Sequence, residues 1–377
     1  MNSINNIKDN QKPEWAPLNS GDEFASYVVK GISLVEKTTN YKTKLAKDTK
    51  KYSIENLLKG ILQQDRITLA KAITLIESNS QKHIEDAQEL IRHIVPYSGK
   101  SVRVGITGAP GVGKSTFIDT FGTYLCGLGY KVAVLAVDPS STRSRGSILG
   151  DKTRMELLSQ ETNAYIRPSP SGGNLGGVAR KTRESILLCE ASGYNVILVE
   201  TVGVGQSEVA VRSMVDFFLL LLLPGAGDEL QGIKKGSVEL ADSIIINKAD
   251  GDNLVKANIT KNAYRQAIHY ILPATEGWTT DVITLSALKG SGIKEIWDII
   301  QDFANKTTMS GMFLERRKQQ IIDWLHSLIE ETLKSKFYND SNVEKLMPHV
   351  ESEVLSGNLT VPIAVSKLIQ AFEILGI

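Results

Sequence analysis

Apolar residues recur along this chain in two rhythms, and the change between them divides it. Ile54, Leu57, Leu58, Ile61 and Leu62 fall at helical spacing, as do Leu69, Ala72, Ile73 and Ile76, then Ala87, Leu90, Ile91 and Ile94. Pro96 ends that run, so a small helical lobe of about three helices is predicted. From Ser101 the rhythm shortens. Strands are predicted at Val102–Thr107, Val132–Val137, Val196–Val199, Phe217–Leu223, Ser243–Ile246 and Val282–Leu285, separated by helix-length connections. That alternation predicts an α/β fold, a mostly parallel sheet covered on both faces. After Met309 the helical period returns with Ile322, Leu325, Ile329 and Leu333, and short helices are predicted around Pro348 and Pro362. Residues before Ser53 follow neither rhythm. Lys is frequent there, Pro13 and Pro17 interrupt, and only Phe24 to Val35 has the apolar content to dock. The expected layout is a flexible extension over 1–52, a helical lobe over 53–98, an α/β core over 99–308 and a helical region over 309–377.

Composition narrows the function classes. A length of 377 residues calls for more than one core. The 43 Lys+Arg and 42 Asp+Glu leave a formal charge of +1, which argues against a coat for nucleic acid or an acidic membrane. Two cysteines, Cys126 and Cys189, are too few for a disulfide framework or a Cys-based zinc site and suit a reducing interior. The five histidines show no ligand spacing. Phe217–Leu223 spans seven residues where a membrane helix needs about twenty, so it reads as a strand buried on both faces. Neither a secretory signal nor a basic presequence is legible in the first residues, where Asp9, Glu14, Asp22 and Glu23 intervene. A cytoplasmic protein is expected, with no nucleic-acid or membrane partner.

Gly108-Ala109-Pro110-Gly111-Val112-Gly113-Lys114-Ser115-Thr116 fits G-x-x-x-x-G-K-[ST] between a predicted strand and a predicted helix. Its glycines let backbone N–H groups converge on phosphate oxygens at a helix terminus. Lys114 is expected to reach the β- and γ-phosphates, and the Ser115 hydroxyl to ligate Mg²⁺. Asn247-Lys248-Ala249-Asp250 ends another predicted strand. A carboxylate at Asp250 can accept from the N1–H and exocyclic amine of guanine, a donor pair adenine lacks, and Lys248 would lie along the base plane. Ser286-Ala287-Leu288 closes a further strand, where backbone N–H groups can meet guanine O6. GTP or GDP is the expected ligand.

Three acidic positions sit where charge is needed. Glu200 opens Glu200-Thr201-Val202-Gly203, at the place of a D-x-x-G turn, and is expected to act on Mg²⁺ or its waters. Asp138 ends a strand, and Asp151 lies in a polar loop with Arg143, Arg145 and Arg154. Both suit a loop that orders around Mg²⁺ and the terminal phosphate, or else a helix cap and a surface salt bridge. Gln206 stands three residues beyond Gly203 and reads equally as a local cap. The loop Pro224 to Gly236 carries Asp228, Gln231 and Lys234, and spacing alone makes it a solvated connection.

Taken in order, GITGAPGVGKST, AVDPSS, GDKTRM, VETVGVGQSE, GAGDELQGIKKG, NKAD and SAL resemble the MeaB/ArgK family of GTPases from about Ser53 to about Ala304, with a weaker match beyond. The resemblance implies a phosphate-loop GTPase core and a homodimer held by C-terminal helices. It implies a chaperone role toward an adenosylcobalamin-dependent acyl-CoA mutase of the methylmalonyl-CoA type. It assigns Asp138, Asp151 and Glu200 to the Mg²⁺ and catalytic apparatus and makes the loop of Asp228, Gln231 and Lys234 a switch toward the mutase, with Lys234 in the catalytic group. The extension before Ser53 departs from typical bacterial members. Other readings are a nickel metallochaperone GTPase, a kinase linked to amino-acid transport and a GTP-regulated scaffold.

Overall fold

The computed structural model describes residues 53–137, 154–168, 175–201, 207–225 and 235–373. Seven strands form one parallel sheet in the order β3-β2-β4-β1-β5-β6-β7. They are β1 (Val102–Gly108), β2 (Val132–Val137), β3 (Ala164–Arg167), β4 (Val196–Thr201), β5 (Phe217–Leu222), β6 (Ser243–Ile246) and β7 (Asp281–Thr284). All residues of β2, β4, β5 and β6 are buried, as expected of parallel strands covered on both sides. Side chains alternate across the sheet. Val104, Ile106, Leu198, Phe217 and Leu219 pack with Phe117, Phe121 and Leu125 of α4 (Lys114–Gly127) and with Ile296, Ile300 and Phe303 of α10 (Ile293–Met309). Leu220, Leu222 and Ile244 of β5 and β6 alternate to the opposite face, where they pack with Ala257 and Tyr264 of α9 (Asn253–Ile268).

The opposite face is where the helical segment sits. Leu57, Ile61, Leu69, Ile73, Leu90 and Ile94, from α1 (Ile54–Leu62), α2 (Arg66–Glu77) and α3 (Gln81–Ile94), share one apolar cluster with Leu135, Ile197 and Val199 of the sheet. They bury their stripe on the α/β core and have no core of their own. The helix α6 (Leu175–Ala191) touches both these helices and the sheet, while the short α7 (Ser207–Arg212) lies against α6, β1 and β4. Gly105 is required under α7, because a Cβ there would stand 2.6 Å from Phe218 and 2.9 Å from Val215. Short helices α5 (Glu156–Gln160) and α8 (Lys235–Glu239) complete the layers.

Two features differ from the reading of the sequence. β3 has four residues and only two are buried, too little for a period to be visible. The C-terminal region is built from long helices: α11 (Met312–Tyr338) has 27 residues, and α12 (Ser341–Leu355) runs on through Pro348. In α13 (Val361–Glu373), Pro362 lies in the first turn, where a missing N–H is harmless. Val343, Val350, Ala364 and Leu368 close a small core between α12 and α13.

At the amino ends of the strands, opposite the phosphate loop, lies a buried ionic layer. Arg317 pairs with Asp216 at 2.7 Å and donates to the carbonyls of Gly99 and Ser101 at 2.6 Å each. Arg316 donates to the Asp216 carbonyl and Thr275, and Gln320 Nε2 to the Val215 carbonyl at 2.8 Å. Arg212 meets Asp242 at 2.6 Å, and Arg103 grips Glu190 through two bonds of 2.9 Å. This layer fixes the first half of α11 to the sheet. No helix among the described residues is long and apolar enough to cross a membrane.

Candidate functional site

The site forms at the carboxyl ends of the strands, where α/β sheets collect ligands. Gly108 ends β1 at φ 150°, and a Cβ there would stand 2.5 Å from the Leu221 carbonyl oxygen of the neighbouring strand. Gly113, at φ 96°, turns the chain into α4. Its missing Cβ leaves room for Asn247, whose Nδ2 would otherwise stand 2.7 Å away. Between them Ala109, Pro110 and Gly111 are exposed while Val112 is buried, so the loop is anchored at one apolar point.

Lys114 Nζ donates to the Gly108 carbonyl at 2.7 Å and the Ala109 carbonyl at 3.3 Å, folding back over the loop. Burial lowers its pKa, and the carboxylates of Glu200 and Glu208 partly offset that shift. Ser115 Oγ donates to Glu200 Oε1 at 3.4 Å, and Glu200 is buried at the end of β4. An ammonium, a hydroxyl and a carboxylate therefore converge from the two central strands. Thr116 is exposed beside them.

Asn247 supports the loop from β6. Its Nδ2 donates to the Val112 carbonyl at 2.9 Å, and its Oδ1 accepts from the Ala287 N–H at 3.1 Å. Two loops and the phosphate loop are thereby joined through one amide. The Ser286 hydroxyl donates to Asp250 and accepts from the Lys289 N–H at 3.2 Å, which orients the carboxylate. Thr120 of α4 holds the Ala287 carbonyl at 2.8 Å. Lys248 takes φ 57° and is exposed, and Leu288 is 81% exposed beside the same turn. The Ala287 N–H, expected to meet guanine O6, is engaged by Asn247 here.

Lys114, Ser115 and Glu200 thus come together, as do Asn247, Asp250, Ser286 and Ala287. Asp138, Asp151 and Lys234 lie outside the described residues, as do Arg143, Arg145, Gly203, Gln206, Asp228, Gln231 and the 1–52 extension. The sequence reading missed Thr120 and Glu208. Glu208 is buried at the start of α7, and its carboxylate acts on Lys114. A Ser-Glu pair following a glycine turn carries no local signal of that.

A parallel sheet with this loop after β1 defines a P-loop nucleotide-binding protein of the GTPase class. The model of one family, methylmalonyl Co-A mutase-associated GTPase MeaB, matches residues 69–342. A putative GTPase of Caulobacter vibrioides is 50% identical over 319 residues, covering 85% of this chain and 98% of that protein. The mouse protein named methylmalonic aciduria type A homolog, mitochondrial, is 44% identical over 349 residues, 90% of this chain and 84% of that one. A crystal structure described as a LAO/AO transport system kinase superposes with a TM-score of 0.69 at 38% identity, covering 84% of this chain and 96% of the other. The chain belongs to the MeaB family of GTPases.

Proposed function

We propose that the protein hydrolyses GTP to GDP and phosphate with Mg²⁺, and uses the cycle as a chaperone of an adenosylcobalamin-dependent acyl-CoA mutase of the methylmalonyl-CoA type. The carrying observation is the convergence of Lys114, Ser115 and Glu200 at one end of the sheet, with Asp250 and Asn247 framing a base site at the ends of β6 and β7. The family's printed description and the mouse relative's name support the mutase as client.

The Ser115 hydroxyl and Glu200 carboxylate are hard oxygen donors beside the Lys114 ammonium, a set that fits Mg²⁺. When bound, the ion would neutralise charge developing on the phosphates. Asp138 and Asp151 are proposed to join those donors, and Lys234 the catalytic group. Lys114 would leave the Gly108 and Ala109 carbonyls for the β- and γ-phosphate oxygens, and Asp250 would accept from guanine. In such a reaction the chain contributes position and charge, so unassisted turnover is slow and a partner that orders the site accelerates it, by about 10³-fold or more.

A homodimer through the C-terminal helices belongs to the same proposal. Supporting it, α11 leaves Ile321, Ile322, Leu325, Ile329 and Leu333 each at least 46% exposed along its length. The two buried free thiols suit a reducing, cytoplasmic setting. The test is phosphate release from GTP and ATP, with and without a purified methylmalonyl-CoA mutase. Guanine-selective release that rises with mutase supports the reading; no release from GTP under either condition sinks it. The kinase reading, carried by the name of the solved relative, requires a phosphorylated acceptor in place of free phosphate.

A further inference from the structure

Under the phosphate loop, on the side away from Lys114, two buried hydroxyls meet. Thr107 Oγ1 and Thr201 Oγ1 are 2.8 Å apart, and the residues are 1% and 0% exposed. Their place in the sheet is specific. The pairing of β1 with β4 runs from Val102↔Val196 to Ile106↔Glu200, one residue short of the threonines. Beyond that point β1 stays beside β5, through Gly108↔Leu221, and β4 stays beside β2, through Val137↔Thr201. The hydroxyl bond thus joins the two central strands one residue beyond their last paired position, Ile106↔Glu200.

Each threonine lies one peptide from a group of the site. Thr107 precedes Gly108, whose carbonyl holds Lys114 at 2.7 Å. Thr201 follows Glu200, whose carboxylate meets Ser115. Strand alternation turns Thr107 and Thr201 to the face of Gly105 and Val199, where α7 is seated. Stability alone gives little reason for this pair, since replacing both partners of a buried hydrogen bond with apolar groups of the same shape is nearly neutral.

We propose that the Thr107–Thr201 bond is a positioning latch for the hydrolytic reaction: it sets the spacing of the two central strands at this point and so the separation of Lys114 from Glu200. It rests on the GTP-hydrolysis reading above. Binding of the base and the inner phosphates depends on the loop and on Asp250, so the latch acts on turnover more than on affinity.

The experiment compares wild type with Thr107→Val, Thr201→Val, the double valine variant, Thr107→Ser and Thr201→Ser, all in the full chain. Phosphate release gives kcat and KM for GTP, and calorimetry gives Kd for GDP. A misplacement on the order of 1 Å costs up to about 100-fold in rate, so each valine variant is expected to lose roughly tenfold or more in kcat while KM and Kd stay within about twofold. The serine variants, which keep the hydroxyl, recover to within about threefold of wild type, and the double variant is no slower than the slower single one. Should a valine variant fail to fold, Thr201→Ala removes the same hydroxyl without adding atoms. Wild-type kcat in the valine variants, an equal loss of GDP affinity, or serine variants as slow as valine overturns the latch while leaving GTP hydrolysis standing. A wild-type protein that releases no phosphate from GTP removes both.

Discussion

Replacing Asp250 by Asn isolates the base site, because it changes one oxygen into an amide with almost no change in shape. Ser286 donates to one carboxylate oxygen of Asp250, so the side chain is held in one orientation before any nucleotide arrives. Guanine offers two donors, N1–H and the 2-amino group, and the carboxylate accepts both. Hydrogen bonds to a charged group are worth about 1.5–3 kcal/mol each. The Asn variant loses the charge on both bonds and turns a donor toward a donor in one of them. A combined loss of about 3 kcal/mol corresponds to roughly 150-fold in Kd. Xanthine carries a carbonyl in place of the 2-amino group, so the amide that opposes guanine complements it. The assay is calorimetric titration of wild type and Asp250→Asn with GDP, XDP and ADP in the presence of magnesium. Expected are a GDP affinity about two orders of magnitude weaker and an XDP affinity above that for GDP. A variant that binds GDP within about threefold of wild type, with the guanine-to-adenine ratio intact, would falsify the assignment.

Three further outcomes follow from the geometry. Burial lowers the Lys114 pKa, so GTP affinity should fall on the alkaline side as pH rises through that lowered value, with proton uptake on binding seen as buffer-dependent heats. The unfolded chain holds that proton to higher pH, so this group makes the nucleotide-free protein gain stability as pH climbs through the same window; a loss there contradicts the assignment. Burial pushes the Glu190 pKa up, but Arg103, Ser101 and the Gly99 N–H outweigh it and hold it below the ordinary 4.5. Its stabilisation is complete above that value and lost as pH falls through the folded-state pKa; Glu190→Gln should cost about 3 kcal/mol at pH 7 by urea unfolding, a penalty that shrinks in acid. Ile329→Glu on α11 should shift the protein toward monomer in sedimentation, with GDP affinity unchanged; a variant that remains dimeric removes that face from the interface.

The parts of the fold that could be read from sequence are those whose signal is local. The unbroken apolar run of β5 announces burial on both faces, and the phosphate loop carries its glycines, lysine and serine within one turn of chain. β3 escaped because four residues with only two buried make no rhythm. The long α11 was partly visible through its apolar period, but its anchoring by Arg316, Arg317 and Gln320 was not, since their partners lie at least 41 residues away. Long-range contacts hid the site's supports in the same way. Asn247 reaches Val112 across 135 residues, and Thr107 meets Thr201 across 94. Motif spacing points to the residues expected to carry the chemistry, while only the folded chain shows which ones hold Lys114, Asp250 and Glu200 in place.

The anchoring of α11 has a mechanical consequence. From Arg316 to Gln320 the helix is locked into the base of the sheet, and beyond Gln320 it buries no residue fully. At 1.5 Å per residue the segment from Gln320 to Tyr338 extends about 27 Å from that fixed point. A pivot of about 5° at the base therefore sweeps the far end by roughly 2 Å, enough to take packed side chains out of register. Because Gln320 grips the Val215 carbonyl just beyond α7, the beam's root sits beside the helix that follows the nucleotide end of β4. A stiff rod held at one end in this way enlarges along its length any rotation made at its root.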